Sequence, residues 1–186
     1  MYEIYTAQEL LDNGSPVVMD QGGAFARMSA FLNGRPFQLC NWQYSTPNPT
    51  DADRKAMSAL MIPFILNTAA AQGGGELKFV EGMHFWYSSS INSNVVLIDD
   101  VVTPQIYMPL VVNGLTVSGF PTPATMSLKL HPYQYFADTD IPEGETEVTL
   151  DLTETGKYTV GFVPTSLADI IYMYTSVDID YQAPPP

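Results

Sequence analysis

From Leu77 onward the apolar residues of this 186-residue chain recur mainly at every second position, whereas helical spacing is confined to the segments before it. Leu77 and Phe79 flank Lys78, Met126, Leu128 and Leu130 alternate with Ser127 and Lys129, and Val177, Ile179 and Tyr181 alternate with Ser176, Asp178 and Asp180. A period of two puts successive side chains on opposite faces and predicts half-buried strands. Val95 to Val102 is apolar except for Asp99-Asp100, which reads as a buried strand broken by a turn. Asn113-Gly114 lies between the apolar runs Ile106–Val112 and Leu115–Phe120, and predicts a hairpin closed by a type I′ turn. Val148, Leu150 and Leu152 precede Thr153-Glu154-Thr155-Gly156, after which Tyr158, Val160 and Phe162 resume the alternation; this predicts a second hairpin with a four-residue loop.

Two helices are expected before the period changes. Thr6 can cap a short one through Gln8, Leu10 and Leu11, stopped by Asn13-Gly14, and Val17 to Met19 then reads as a strand. Thr50 and Asp53 have capping-box spacing, followed at helical intervals by Met57, Leu60, Met61, Phe64 and Ile65. Pro63 lacks an N–H and clashes with the preceding turn, so a kink or an end near Ile62 is expected, with the helix resuming over Phe64 to Ala71.

Together these elements predict a mostly β, α+β fold: an antiparallel β-sandwich or barrel-like domain with an N-terminal region carrying one short and one longer, Pro-kinked helix. Pro104, Pro121, Pro123, Pro132, Pro142 and Pro164 fall where strands should end. The composition shift at Gly73-Gly74-Gly75 makes that triplet the expected hinge. It would separate an N-terminal α/β region (1–72), packing on the core, from a β-sandwich (76–182) and an extended tail (183–186), unless the whole forms one domain.

Charge alters this picture by excluding partners. Seven Lys and Arg against twenty Asp and Glu give a net charge of −13, the wrong sign for a free-standing nucleic-acid binder. The excess is uneven: residues 1–93 carry eight acids and five bases, and residues 94–186 twelve acids and two bases. Ala56 to Gly75 has no charge, but its apolar kernel, Ala59 to Leu66, is far shorter than the roughly 20 residues of a membrane-spanning helix. The N-terminus has neither a basic segment nor an apolar core of a secretory signal, so synthesis in the cytoplasm and no membrane contact are expected.

No set of residues predicts catalysis, cofactor binding or a metal centre. The lone Cys40 cannot form an intramolecular disulfide and reads as a small core residue. Asp138, Asp140, Glu143, Glu145 and Glu147 gather carboxylates of the kind that can hold Ca²⁺, without the spacing of a calcium loop, so a solvated acidic turn is expected. Asp178 and Asp180 share one strand face and are the best pair for carboxylate hydrolysis, whereas adjacent Asp99 and Asp100 should point to opposite faces of a strand. His84 and His131 do not define a zinc site, and neither Gly22-Gly23 nor the glycine triplet leads into a phosphate-binding loop. Trp42, Tyr44, Trp86, Tyr87, Tyr133 and Tyr135 form the aromatic pool from which a sugar-binding strip could be built.

An acidic, lysine-poor β-rich chain without a catalytic constellation is expected to be a non-enzymatic assembly protein. A virion component, such as a bacteriophage capsid-decoration, head-to-tail or tail protein, is the most concrete form. It would act as a homo-oligomer within that assembly, through protein–protein contacts and a basic partner surface. The alternatives are a carbohydrate- or receptor-binding β-sandwich module, and a carboxylate-based hydrolase.

Overall fold

A computed structural model of the chain describes residues 2–82, 95–132 and 134–184. The fold is mostly β, with antiparallel sheets and, among the described residues, two α-helices. The chain divides into two compact units, Met1–Pro104 and Gln105–Pro186, so the division falls after Pro104 rather than at Gly73–Gly75.

In the first unit, β1 (Ile4–Thr6) leads into α1 (Ala7–Asn13), followed by β2 (Val18–Asp20), β3 (Gly23–Leu32), β4 (Arg35–Gln43), α2 (Asp51–Ala71), β5 (Leu77–Glu81), β6 (Val95–Ile98) and β7 (Val101–Pro104). Strand β3 is central. Phe25 pairs with both Val18 and Gln43, and Met28 with both Cys40 and Glu81, so β4 runs along one edge while β2 and β5 share the other. Strand β5, after the glycine triplet, thus joins the same sheet as the strands before it, with β1 on its far side.

Sequence analysis assigns no strand to residues 23–43, yet these form the longest hairpin of the unit. Leu32 pairs with Arg35, leaving Asn33-Gly34 as a two-residue loop with φ of 50° and 75°, the type I′ arrangement. Asp99-Asp100 close the β6–β7 hairpin in the same way, with φ of 49° and 60°. They are loop residues rather than neighbours on opposite strand faces, and Asp100 forms an ion pair with Lys78.

One face of the sheet presents Ala24, Ala26, Met28 and Ala30 from β3, with Cys40 and Trp42 from β4 and Phe79 from β5. The small β3 side chains let α2 approach, and Ile62, Ile65 and Ala69 bury against them with Leu10 of α1. Burial of each large side chain of this kind is worth roughly 1.5–3 kcal/mol. Phe31 and Val80 point to the other face and pack with Val95 and Leu97 of the β6–β7 hairpin.

Both helices begin as expected. The Thr6 hydroxyl accepts from the Glu9 N–H at 3.2 Å while the Thr6 N–H donates to the Glu9 carboxylate at 2.7 Å; Thr50 and Asp53 repeat this at 3.3 and 2.7 Å. Gly14 ends α1 at φ 79°, and a Cβ there would lie 2.7 Å from the Arg54 Cβ, so only glycine fits where α1 meets α2. Helix α2 does not end near Ile62 but is one continuous element through Pro63. Proline removes only the bond to the Ala59 carbonyl; both residues are exposed, so water can satisfy that oxygen, and buried Ser58, Ile62, Ile65 and Ala69 anchor the helix on either side.

The second unit contains β8 (Val111–Asn113), β9 (Thr116–Ser118), β10 (Ala124–Leu130), β11 (Gln134–Tyr135), β12 (Thr139–Ile141), β13 (Glu147–Thr149), β14 (Gly156–Pro164) and β15 (Thr175–Tyr181). One sheet has the order β11-β10-β14-β15, with β12 also on β10, and the other has the order β13-β9-β8. They share a core in which Val117 of β9 is buried with Met126, Tyr158, Val160, Phe162 and Ile179; the Phe120 and Phe162 rings stack at 4.4 Å.

The expected β8–β9 hairpin forms, but Asn113 pairs with Thr116, so the loop is Gly114-Leu115. Gly114, with φ of 62°, holds the first loop position, the glycine position of a type II′ turn, rather than the second position of a type I′ turn. The second expected hairpin does not form: β13 pairs with β9, and β14 pairs with β10 and β15. Both edges of β14 are therefore occupied. Near the C-terminal end, the Ala183 N–H donates to the Thr155 hydroxyl at 2.8 Å.

Candidate functional site: a groove on the outer sheet face

The alternation that buries Met126, Val160 and Ile179 turns the intervening residues of β10, β14 and β15 outward. Register then aligns them in rows. Tyr135 pairs with Lys129, Lys129 with Thr159, and Thr159 with Asp178, while the adjacent row is Ser127, Gly161 and Ser176. Above these rows is a cavity of about 360 Å³, lined by residues that include Lys129, His131, Tyr135, Asp138, Thr159 and Tyr174.

The polar groups form a chain. The Thr159 hydroxyl donates to Asp178 Oδ1 at 2.6 Å, and His131 Nε2 lies 2.7 Å from the same hydroxyl oxygen. A hydroxyl has one proton and the carboxylate only accepts, so the histidine contact is an Nε2–H donating to Thr159 Oγ1. Lys157 Nζ contacts Asp178 Oδ2 at 2.8 Å. The hydrogen bonds from Lys157 and then Thr159 hold the Asp178 carboxyl below its ordinary range.

Aromatic rings border the polar row. Tyr135 is 74% exposed with the Lys129 ammonium 4.9 Å from its ring centre, and Tyr174 is 49% exposed. Phe136, also at the groove, is 38% exposed; it stacks against buried Tyr158 and is tied by its N–H to the Leu128 carbonyl at 3.0 Å. Tyr174 sits on Gly161, where a Cβ would come within 2.2 Å of its oxygen.

Few of the sequence-derived candidates meet here. His131, Tyr135 and Asp138 line the groove, whereas Asp178, next to Thr159 in the same row, is engaged by cross-strand contacts with Thr159 and Lys157. Asp140 accepts from Thr125, and Glu143, Glu145 and Glu147 are exposed along β13 and the turn before it. Among the described residues no three His, Cys, Asp or Glu side chains are grouped so as to hold a metal ion. Trp42 and Tyr44 are buried, which removes them from any surface strip, and Tyr44 shares a buried hydrogen bond with Ser15. His84, Trp86, Tyr87 and Tyr133 lie outside the described residues. Cys40 is buried, and desolvation pushes its thiol up to about 12. Sequence reasoning missed Phe136, Thr159, Gly161 and Tyr174, which only the strand register brings together.

The unit boundary also redistributes the charge. Asp99 and Asp100 belong to the first unit, leaving ten acids against two bases, net −8, in Gln105–Pro186. Among the described residues no helix is long and apolar enough to cross a membrane. No protein-family model matches the chain, and no curated protein or solved structure compared with it does so either.

Proposed function

We propose that the chain is a non-enzymatic structural component of a multi-subunit assembly, working through protein–protein contacts. The observation that carries this reading is the outward face of α2. Leu60 is 70% exposed and Phe64 60% exposed, and Ala56, Ala59 and Pro63 extend the same uncharged surface at helical spacing. Large exposed apolar side chains clustered on one helix face favour a partner surface over solvent.

The acidic second unit complements this face: a net −8 over Gln105–Pro186 keeps the free subunit soluble and steers it toward a basic partner. A virion component, of the capsid-decoration, head-to-tail or tail kind and present in several copies, is the concrete form we favour. The non-enzymatic reading draws on the buried Cys40 thiol and on the engagement of Asp178 by Lys157 and Thr159.

Native mass spectrometry with the structural proteins encoded beside this chain tests the reading. A defined complex is expected, and Leu60→Glu with Phe64→Glu should dissolve it while leaving the circular dichroism spectrum unchanged. A wild-type chain that stays monomeric and binds none of those proteins overturns it.

A further inference from the structure

We propose that the groove over β10, β14 and β15 binds a neutral saccharide, one pyranose ring at a time. This goes beyond the assembly reading: the groove belongs to the second unit and α2 to the first, so each can fail without the other.

The chemistry of the lining selects the ligand class. Exposed Tyr135 and Tyr174 offer ring faces, which suit the C–H face of a pyranose. Lys129 donates only and the Asp138 carboxylate accepts only, with the His131 ring beside them, so the rim presents both halves of the hydrogen-bond vocabulary of vicinal hydroxyls. A purely apolar ligand would strip water from Lys129 and Asp138 without replacing it. A multiply charged anion would face Asp138 in a unit of net −8. A cation would meet the Lys129 ammonium, already placed over Tyr135. An uncharged polyol satisfies all of these groups.

The site is also preorganised. Thr159 cannot rotate freely because its hydroxyl donates to Asp178 and accepts from His131, and Asp178 is itself held by Lys157. The His131 ring is thereby fixed through Nε2, which lowers the ordering cost of binding. Gly161 supplies a floor without a Cβ on which Tyr174 lies. At about 360 Å³ the cavity is at the small end of ligand pockets, which matches one ring rather than an extended oligosaccharide.

The test is an NMR titration of the full chain with the methyl glycosides of glucose, galactose, mannose and N-acetylglucosamine, with inorganic phosphate as the anionic control. Saturable shifts of groove residues at millimolar concentration are expected for at least one glycoside. Tyr135→Ala, at a 74% exposed position, and Asp138→Asn should each weaken that binding about tenfold or more while the rest of the spectrum stays superimposable. Binding of phosphate but of no glycoside, no binding by the folded wild-type chain, or glycoside binding unchanged in both variants overturns the proposal.

Discussion

The Tyr174 ring occupies the space that a side chain at position 161 would need: a Cβ built on Gly161 lies 2.2 Å from the tyrosine oxygen. The contact involves the far end of a side chain that is half exposed, so Gly161→Ala should swing Tyr174 off the strand rather than disrupt β14. An alanine in a strand also loses less backbone entropy than glycine does. The unfolding free energy is expected to change by less than about 1 kcal/mol, while the Tyr174 ring resonances move. Urea denaturation checks the first expectation, and a substantially larger loss would mean that Tyr174 is fixed in place.

Helix α2 depends on its first turn. Thr50→Ala removes the side-chain half of the capping box and should cost about 1 kcal/mol in denaturant unfolding. The pH dependence has a definite sign. Hydrogen bonds from the Thr50 hydroxyl and backbone lower the Asp53 carboxyl below its ordinary value. The stability contributed by the cap is therefore fully present above the unfolded-state value of about 3.9, and is lost as pH falls through the lower folded-state value. Asp53→Asn should accordingly be less stable than wild type at neutral pH, and the gap should close in acid. A gap that stays constant from neutral to strongly acidic pH would contradict this account.

Asn33 connects the β3–β4 turn to the chain beyond α2. Its backbone N–H donates to the Glu76 carbonyl at 2.8 Å, its side-chain oxygen accepts from the Glu76 N–H at 2.9 Å, and its amide donates to the Gly74 carbonyl at 3.2 Å. Two substitutions separate backbone from side chain. Asn33→Gly retains the conformation at φ 50° but loses both amide bonds, at a cost of about 1–3 kcal/mol. Asn33→Ala loses the same bonds and adds the strain of a left-handed residue, so it should be the less stable of the two. Equal stability of both variants in thermal unfolding would show that the turn geometry carries no cost.

What the sequence made legible was local. Thr6 with Glu9 and Thr50 with Asp53 mark helix starts because all the partners of a capping box lie within one turn. The Asn-Gly reading at Asn113-Gly114 finds the hairpin but not its register, because the pairing of Asn113 with Thr116 shifts the loop by one residue; Asn33-Gly34, which is not read as a turn, forms the type I′ loop. Strand partners beyond the β8–β9 hairpin were not legible. The run through Val148, Leu150 and Leu152 looks like a neighbour of the Tyr158 strand, but the hydrogen bonds of β14 are already taken by β10 and β15, and no pattern within β13 and β14 reveals that. The groove was hidden for the same reason: His131, Thr159 and Asp178 meet through register across distant segments, so Tyr135, His131, Asp138 and Asp178 could be named beforehand, but without their relation to one another.

One consequence concerns how contacts of the second unit can be mapped. Lys129 and Lys157 are its only lysines, and cross-strand register turns both toward the outer face of the same sheet. Amine-directed cross-linkers will therefore report neighbours of this sheet face alone, wherever else Gln105–Pro186 is touched. Ten carboxylates in the same stretch make acid-directed reagents the ones that can trace its remaining surface.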